Sequence, residues 1–272
     1  MDDHAQTYEV NGIRMSVVIA GQGPDVLLLH GFPDCHTVWR KQIPALVAAG
    51  YRVIAPDTRG CGQTSMPKDC SAYRMEHLVG DVIGLLDAIG STTVRLVGHD
   101  WGAIIGWQLC MRHPERINRY AALSVGHPSG YVAAGIMQKL KGHYILLLQL
   151  PGLAEYLVTR CDWFLFRSLT QYPSEFPHWH ANLSRPGRLT AGANYYRANF
   201  GLFLQQPPSP PLSTPVMGLW SDGDRFLVES QMTHSKQHLS GPWRYERILS
   251  ASHWLQLDAP ERVNSLLLDF FR

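Results

Sequence analysis

Short apolar runs alternate with stretches of helical periodicity along most of the chain. DVLLLH (25–30), YRVIAP (51–56), TVRLVG (93–98) and YAALSVG (120–126) are long enough for a buried strand and too short for a helix. Upstream, TYEVNGIRMSVVIAG (7–21) predicts a hairpin, because Asn11-Gly12 supplies the positive-φ pair of a tight turn between two β-rich runs. VWRKQIPALVAAG (38–50) and MEHLVGDVIGLLDAIG (75–90) read as helices, each closed by a glycine, Gly50 and Gly90, at the C-terminal capping position. Strands that are apolar on both faces, separated by helices, predict a mostly parallel, doubly wound α/β sheet.

From about Pro128 the alternation stops, and the chain becomes helical and aromatic until QQPPSPPLSTP (205–215), a stiff proline-rich return. VMGLW, YERILS and DAPERVNSLLLDFF then restore the earlier rhythm, with Asp258 and Glu261 at capping-box spacing. The expected organisation is a core of residues 1–127 and 212–272, interrupted by a helical cap over 128–211.

Composition narrows the function. The chain has 272 residues, 45% of them hydrophobic, enough to bury a large core in one domain. A net charge of +2 without any block of like charges gives no footprint for nucleic acid or a membrane surface. Five scattered cysteines, without CxxC spacing, fit neither a disulfide framework nor zinc. The acidic, polar start is unlike a signal peptide. These features predict a cytoplasmic protein without cofactor or metal, acting on a small molecule as a monomer or homodimer.

One stretch carries chemistry. In VRLVGHDWGAIIGW (94–107) a strand breaks at Gly98, shows His99, Asp100 and Trp101, and passes into a helix. Asp100 is an acceptable N-cap. Yet strand, small-x-Asp-x-small-small, helix is also the nucleophile elbow, with aspartate in place of the usual serine. An aspartate that attacks a saturated carbon forms an ester, which water then cleaves, whereas a serine would form an ether. Asp100 therefore implies displacement at an sp³ carbon, with an epoxide oxygen or a halide as leaving group.

These residues and several others resemble the epoxide hydrolase group of the α/β-hydrolase fold family. HGFPD (30–34) stands at the oxyanion-hole motif, DTRGCGQT (57–64) at the structural DxRGxG turn, WSDGDRFL (220–227) at the triad acid and ASHWLQLDAP (251–260) at the histidine. The resemblance covers nearly the whole chain. It implies Asp100 as nucleophile, Asp224 as acid, His253 as base, and the backbone N–H groups of Phe32 and Trp101 as the oxyanion hole. It also implies a cis bond before Pro33. HYILLLQLPGLAE (143–155) and PGRLTAGANYYRANF (186–200) resemble two lid segments of that group and give Tyr144 and Tyr196 the role of holding the epoxide oxygen. A phenol, protonated at neutral pH, suits a developing alkoxide. Phe32, Trp101, Trp163 and Trp179 are expected to line an apolar pocket.

The expected partners are thus an apolar epoxide and water. A haloalkane dehalogenase shares Asp-Trp at the elbow, although Phe32 replaces the Asn common there. Trp101 likewise stands where the fluoroacetate-type dehalogenases have Arg. A binding protein that kept the fold without turnover is the third reading. His30 and His99 are read as loop supports, and Asp34 and Asp222 as carboxylates that either support the site from behind or sit on the surface, Asp222 being the rival of Asp224. Glu76, Asp81 and the His178/His180 pair are read as solvated faces.

Overall fold

The computed structural model describes residues 5–205 and 209–272. Residues 206–208 of the proline-rich return lie outside the described residues. Eight strands form one sheet: β1 (Gln6–Val10), β2 (Ile13–Ala20), β3 (Asp25–Leu29), β4 (Arg52–Pro56), β5 (Val94–His99), β6 (Ile117–Leu123), β7 (Val216–Ser221) and β8 (Trp243–Ile248). Their order is β1-β2-β4-β3-β5-β6-β7-β8. β3 to β8 pair in parallel, while β1 and β2 pair antiparallel at one edge. The Asn11-Gly12 turn is present, with φ of 47° and 77° and Val10 opposite Ile13.

Why the strands read as unbroken apolar runs is visible in β3. Leu27 and Leu29 pack with α2 (Met75–Ala88) and α3 (Trp101–Arg112) on one face. Val26 and Leu28 pack with α1 (Gln42–Ala48) and the C-terminal helix on the other. Successive side chains leave opposite faces, and both faces are covered. The helix expected from Val38 begins later, because His36–Trp39 forms a 3₁₀ turn before α1.

Between β6 and β7 the described residues contain helices and no strand. They are α4 (Pro128–Ala133), α5 (Ile136–Lys141), α6 (Tyr144–Leu148), α7 (Leu153–Thr170), α8 (Phe176–Leu183) and α9 (Arg188–Ala198). α7 breaks at Arg160–Trp163, where Cys161, Asp162 and Trp163 all have positive φ. After β7 come α10 (Glu229–Thr233), α11 (Leu255–Asp258) and α12 (Pro260–Phe271). α12 buries Val263, Leu266, Leu267, Phe270 and Phe271, one stripe of the helix, each worth roughly 2 kcal/mol of transfer free energy. Its start corrects the expected capping box. Ala259 is the N-cap, Pro260 opens the helix, and Asp258 instead accepts the N–H and hydroxyl of Ser252.

Two buried carboxylates hold the core around the site, and one of them departs from its expected place. Asp81 is not a solvated face: it is buried, holds both Nε and Nη2 of the buried Arg59, and accepts from Asn11. It thereby fixes the DxRGxG turn, whose Asp57 takes the His36 N–H, the His36 ring and the Gln63 N–H. Glu76, by contrast, is exposed. Asp34 is also buried, and its two oxygens accept the indole N–H groups of Trp179 on α8 (2.7 Å) and of Trp254 (3.0 Å). Burial raises its pKa to about 7, against the pull of the two indole donors.

Removing one partner of a buried ion pair strands the other charge, so Asp81→Ala should lose about 3–5 kcal/mol in urea unfolding. An unchanged midpoint would contradict the pairing. Asp34 stays protonated in the folded protein up to about pH 7, whereas the free side chain ionises near 3.8. Its stabilisation is therefore complete below pH 4 and drains as pH rises towards 7. The stability of the wild type relative to Asp34→Asn should fall by roughly 1 kcal/mol per pH unit between pH 5 and 7 and level off above. A flat difference across that range would show that Asp34 is ionised when folded.

Candidate active site

The turn from β5 into α3 leaves no space for side chains at its glycines. A Cβ on Gly98 would lie 2.4 Å from the Gly102 carbonyl oxygen, and one on Gly102 would lie 2.0 Å from that of Leu29. Asp100, between them, is held at φ 53°, ψ −119°, a conformation that side chains other than glycine rarely adopt. It is not a side-chain N-cap. Its carboxylate instead faces the loop after β3, where a Cβ on Gly31 would meet Asp100 Oδ1 at 2.2 Å. There the Phe32 N–H donates to Oδ1 at 2.8 Å, and the Trp101 N–H also donates to the carboxylate. The Phe32–Pro33 bond is cis.

His253, in the loop after β8, reaches the same carboxylate: its Nε2 lies 3.6 Å from Asp100 Oδ2. Its Nδ1 donates to Asp224 Oδ2 at 2.8 Å, and Asp224 Oδ1 accepts the Phe226 and Leu227 N–H groups. Asp222 is exposed and accepts from Ser250, away from His253. Burial pulls the His253 pKa down, but the Asp224 and Asp100 carboxylates overcome this and raise it to about 10. Burial alone would raise the pKa of Asp100; hydrogen bonding and attraction from His253 turn the shift downward. The site thus rests as an imidazolium between two carboxylates.

His99 supports this loop. Burial lowers its pKa to about 3, and its Nε2 donates to the His253 carbonyl oxygen at 2.9 Å. His30 likewise bonds the backbone of Gly31 and Thr58. From the helical segment, Gln138 bonds the Phe226 carbonyl and the Val228 N–H, and Lys141 Nζ donates to the carbonyls of Asp224 and Leu227.

Above Asp100 lies a cavity that opens to solvent. Phe32, Pro33, Asp100, His253, Tyr144 and Tyr196 line it, with an apolar wall that includes Leu148, Val158 and Leu189. A second chamber opens on the far side of the tyrosines, sharing Asp100, Tyr144, Tyr196 and Phe226 and adding Trp101, Ile104 and Phe203. The rings of Tyr144 and Tyr196 are 6.0 Å apart, and their hydroxyls interact. Burial first, and then the neighbouring phenol and Asp100 for Tyr144, and Asp100 for Tyr196, keep both pKa values well above 10. Tyr195, one position earlier on α9, points away and bonds the Arg59 carbonyl and Thr58.

Trp163 and Trp179 do not line either chamber, contrary to expectation. Trp179 is drawn beneath the wall by Asp34, and Trp163 packs edge-on against Phe166 and His180 at the break in α7. The sequence reading missed Phe226 and Trp254, which do line the first chamber. Their signal was position, since each is an aromatic residue within two positions of Asp224 or His253. His178 is exposed and His180 packs at a tilt against Phe176. Among the described residues one trio, Cys35, His36 and Asp57, brings metal-ligand atoms together. It suits a structural role better: Asp57 is already saturated by donors, and burial raises the Cys35 thiol to about 12, so it keeps its proton.

Residues 24–260 match the alpha/beta hydrolase fold family. The chain is 33% identical to epoxide hydrolase 3 of Xenopus tropicalis, the match covering 96% of this chain and 76% of that one. It is 33% identical to epoxide hydrolase A of Mycobacterium tuberculosis, over 96% of this chain and 95% of that one. The crystal structure of an epoxide hydrolase from Vigna radiata superposes with a TM-score of 0.85 at 33% identity, covering 98% and 97%. An acid at the elbow, a histidine between two carboxylates and two phenols over them thus sit in a chain that belongs to the alpha/beta hydrolase fold family, in its epoxide hydrolase group.

Proposed function

We propose that this protein opens an apolar epoxide to a vicinal diol through an ester on Asp100. The observation that carries the reading is the pair of buried, protonated phenols of Tyr144 and Tyr196 facing the carboxylate across an apolar cavity. In the first step Asp100 Oδ2 attacks one epoxide carbon while the C–O bond breaks, and the two phenols hold the departing oxygen and supply its proton. Phenols this reluctant to ionise remain donors throughout the pH range of folded proteins, and the alkoxide is basic enough to take a proton from them.

Esterification then changes the charge around His253. With Asp100 ionised, the ring has two anionic neighbours and a pKa of about 10, so it holds its proton. Once Asp100 is an ester, one of those anions is gone and the pKa falls towards the range where imidazole accepts a proton. The proton His253 gives up restores the phenol that protonated the departing oxygen, so the first step releases the base for the second. His253, oriented by Asp224, deprotonates a water that attacks the Asp100 carbonyl carbon. Oδ1 then carries the developing negative charge and already accepts the Phe32 N–H, while the Trp101 N–H also donates to this carboxylate; a donor of this kind is worth roughly 3 kcal/mol in comparable sites.

The halide alternative lacks its cradle. The Trp179 N–H is spent on Asp34, Trp163 lies outside both chambers, and the Trp101 indole bonds the Tyr196 hydroxyl. The helices between β6 and β7 serve as the lid, with core and lid divided near residues 127 and 212.

His253→Gln, incubated with styrene oxide, should accumulate an adduct on Asp100 whose mass equals that of the intact epoxide, and Asp100→Ala should form none. Halide release from 1-bromobutane by the wild type, with no diol from styrene oxide, would overturn the reading. Tyr144→Phe and Tyr196→Phe should each lower the rate of adduct formation by about 10²-fold, the usual worth of a positioned proton donor. Equal rates in the wild type and both variants would remove the phenols from the mechanism.

A further inference from the structure

The large apolar side chains left exposed are gathered in one place. Among the described residues eleven are strongly exposed, and nine of these fall within residues 136–164. They include Ile136, Met137 and Leu140 on α5, Leu146 on α6, and Leu153 and Leu157 on α7, each between 38% and 68% exposed. On α7 the positions 153, 156, 157 and 160 follow helical spacing, so Leu153, Tyr156 and Leu157 share a face with Arg160, whose guanidinium lies 5.0 Å from the Tyr156 ring centre. A concentration of this kind marks an interaction surface.

The unpaired charges around it are cationic. From Ile136 to Phe164 the exposed charged residues are Lys139, Arg160 and Asp162, and Asp162 is paired at 2.7 Å with the exposed Arg167 just beyond the span. The other acidic residue in that span, Glu155, is turned to Arg197 and bonds both Nη atoms at 2.8 and 3.1 Å. The whole-chain charge of +2, which argued against a membrane surface, averages over this local asymmetry. We propose that the outer face of α5 to α7 docks on an anionic lipid bilayer, its apolar side chains entering the headgroup boundary and its cations meeting lipid phosphates. A second copy of the chain fits less well, because a self-paired face would bring Lys139 and Arg160 against their own kind.

The same helices wall the cavity from inside. Leu147, Leu148 and Val158 line the first chamber, one residue from the exposed Leu146 and Leu157. α5 carries Ile136, Met137 and Leu140 outward while its Gln138 and Lys141 hold the loop of Asp224 and Phe226. A layer one helix thick therefore separates the lipid-facing side from the site. The purpose of the docking, taking up a substrate that prefers lipid to water, rests on the apolar-epoxide reading, but its test does not.

Cosedimentation of the full chain with phosphatidylcholine vesicles, with and without 30% phosphatidylglycerol, tests the proposal. Binding should be roughly tenfold stronger to the anionic vesicles and should weaken as salt is raised. Leu140→Asp with Leu146→Asp should abolish it, and Lys139→Glu with Arg160→Glu should remove the preference for anionic lipid. Both pairs of changes lie on the surface, so turnover of styrene oxide in vesicle-free solution should be unchanged. Absence of binding at low salt, binding indifferent to both pairs of changes, or a dimer in sedimentation equilibrium that the Asp variants dissociate would each overturn the proposal. Inactivity towards styrene oxide with intact vesicle binding would instead count against the catalytic reading alone.

Discussion

The absence of side-chain space where β5 meets α3 is the constraint from which the site follows. Gly98, Gly102 and Gly31 bring three backbone segments to within distances that no Cβ would allow, and Asp100 takes up the remaining turn at positive φ. The strain of that conformation is of order 1–3 kcal/mol, and the surrounding sheet and helix must supply it. In return the carboxylate leaves the sheet edge with no neighbour on its own strand to crowd it. Because β3 is the hydrogen-bonded neighbour of β5, the loop carrying the Phe32 N–H arrives beside it without any further device.

Placed there, the carboxylate becomes one member of a charge arrangement rather than an isolated anion. Asp100 and Asp224 flank His253 and share its proton, and Asp34 stands close enough for the Asp100 charge to help raise its pKa. A third ionised carboxylate in this volume would compete for the same imidazolium. Asp34 avoids that by staying neutral to about pH 7, while its two indole contacts tie α8 and the His253 loop to the loop after β3. The same carboxyl group therefore serves packing and keeps the charge balance around the histidine at one cation to two anions.

How much of this was legible in the sequence follows from the range of the interactions involved. The sheet was legible because strand burial is local: β3 shows its two covered faces in five consecutive residues, and Asn11-Gly12 announces its turn by itself. Asp100, Asp224 and His253 were legible because each sits in a short motif whose backbone shape is set by near neighbours. Asp81, Asp34 and Trp179 were not. Asp81 is buried by Arg59, 22 positions away, and Trp179 by Asp34, 145 positions away, and no pattern along the chain joins such pairs. The break in α7 at Cys161–Trp163 has no glycine or proline to signal it, and nothing in the structure explains its three positive φ angles.

Core and helical insertion also divide the site by the kind of proton chemistry each environment favours. Strand ends bring backbone N–H groups and loops together, so Asp224 meets two amide donors and Asp100 meets those of Phe32 and Trp101, and negative charge is sustained there. The insertion presents leucine and aromatic side chains, and burial among them holds Tyr144 and Tyr196 in their neutral, proton-bearing form. Exchanging the two environments would defeat both, since a carboxylate among leucines would take up a proton and a phenol among backbone donors would lose its reluctance to ionise. The tyrosines come from α6 and α9, which are in contact, and α9 is fixed to the core by Tyr195 on Arg59 and Thr58. The placement of Tyr196 over Asp100 is thus set by its neighbour, whose hydroxyl anchors the helix one residue before the one that faces the cavity.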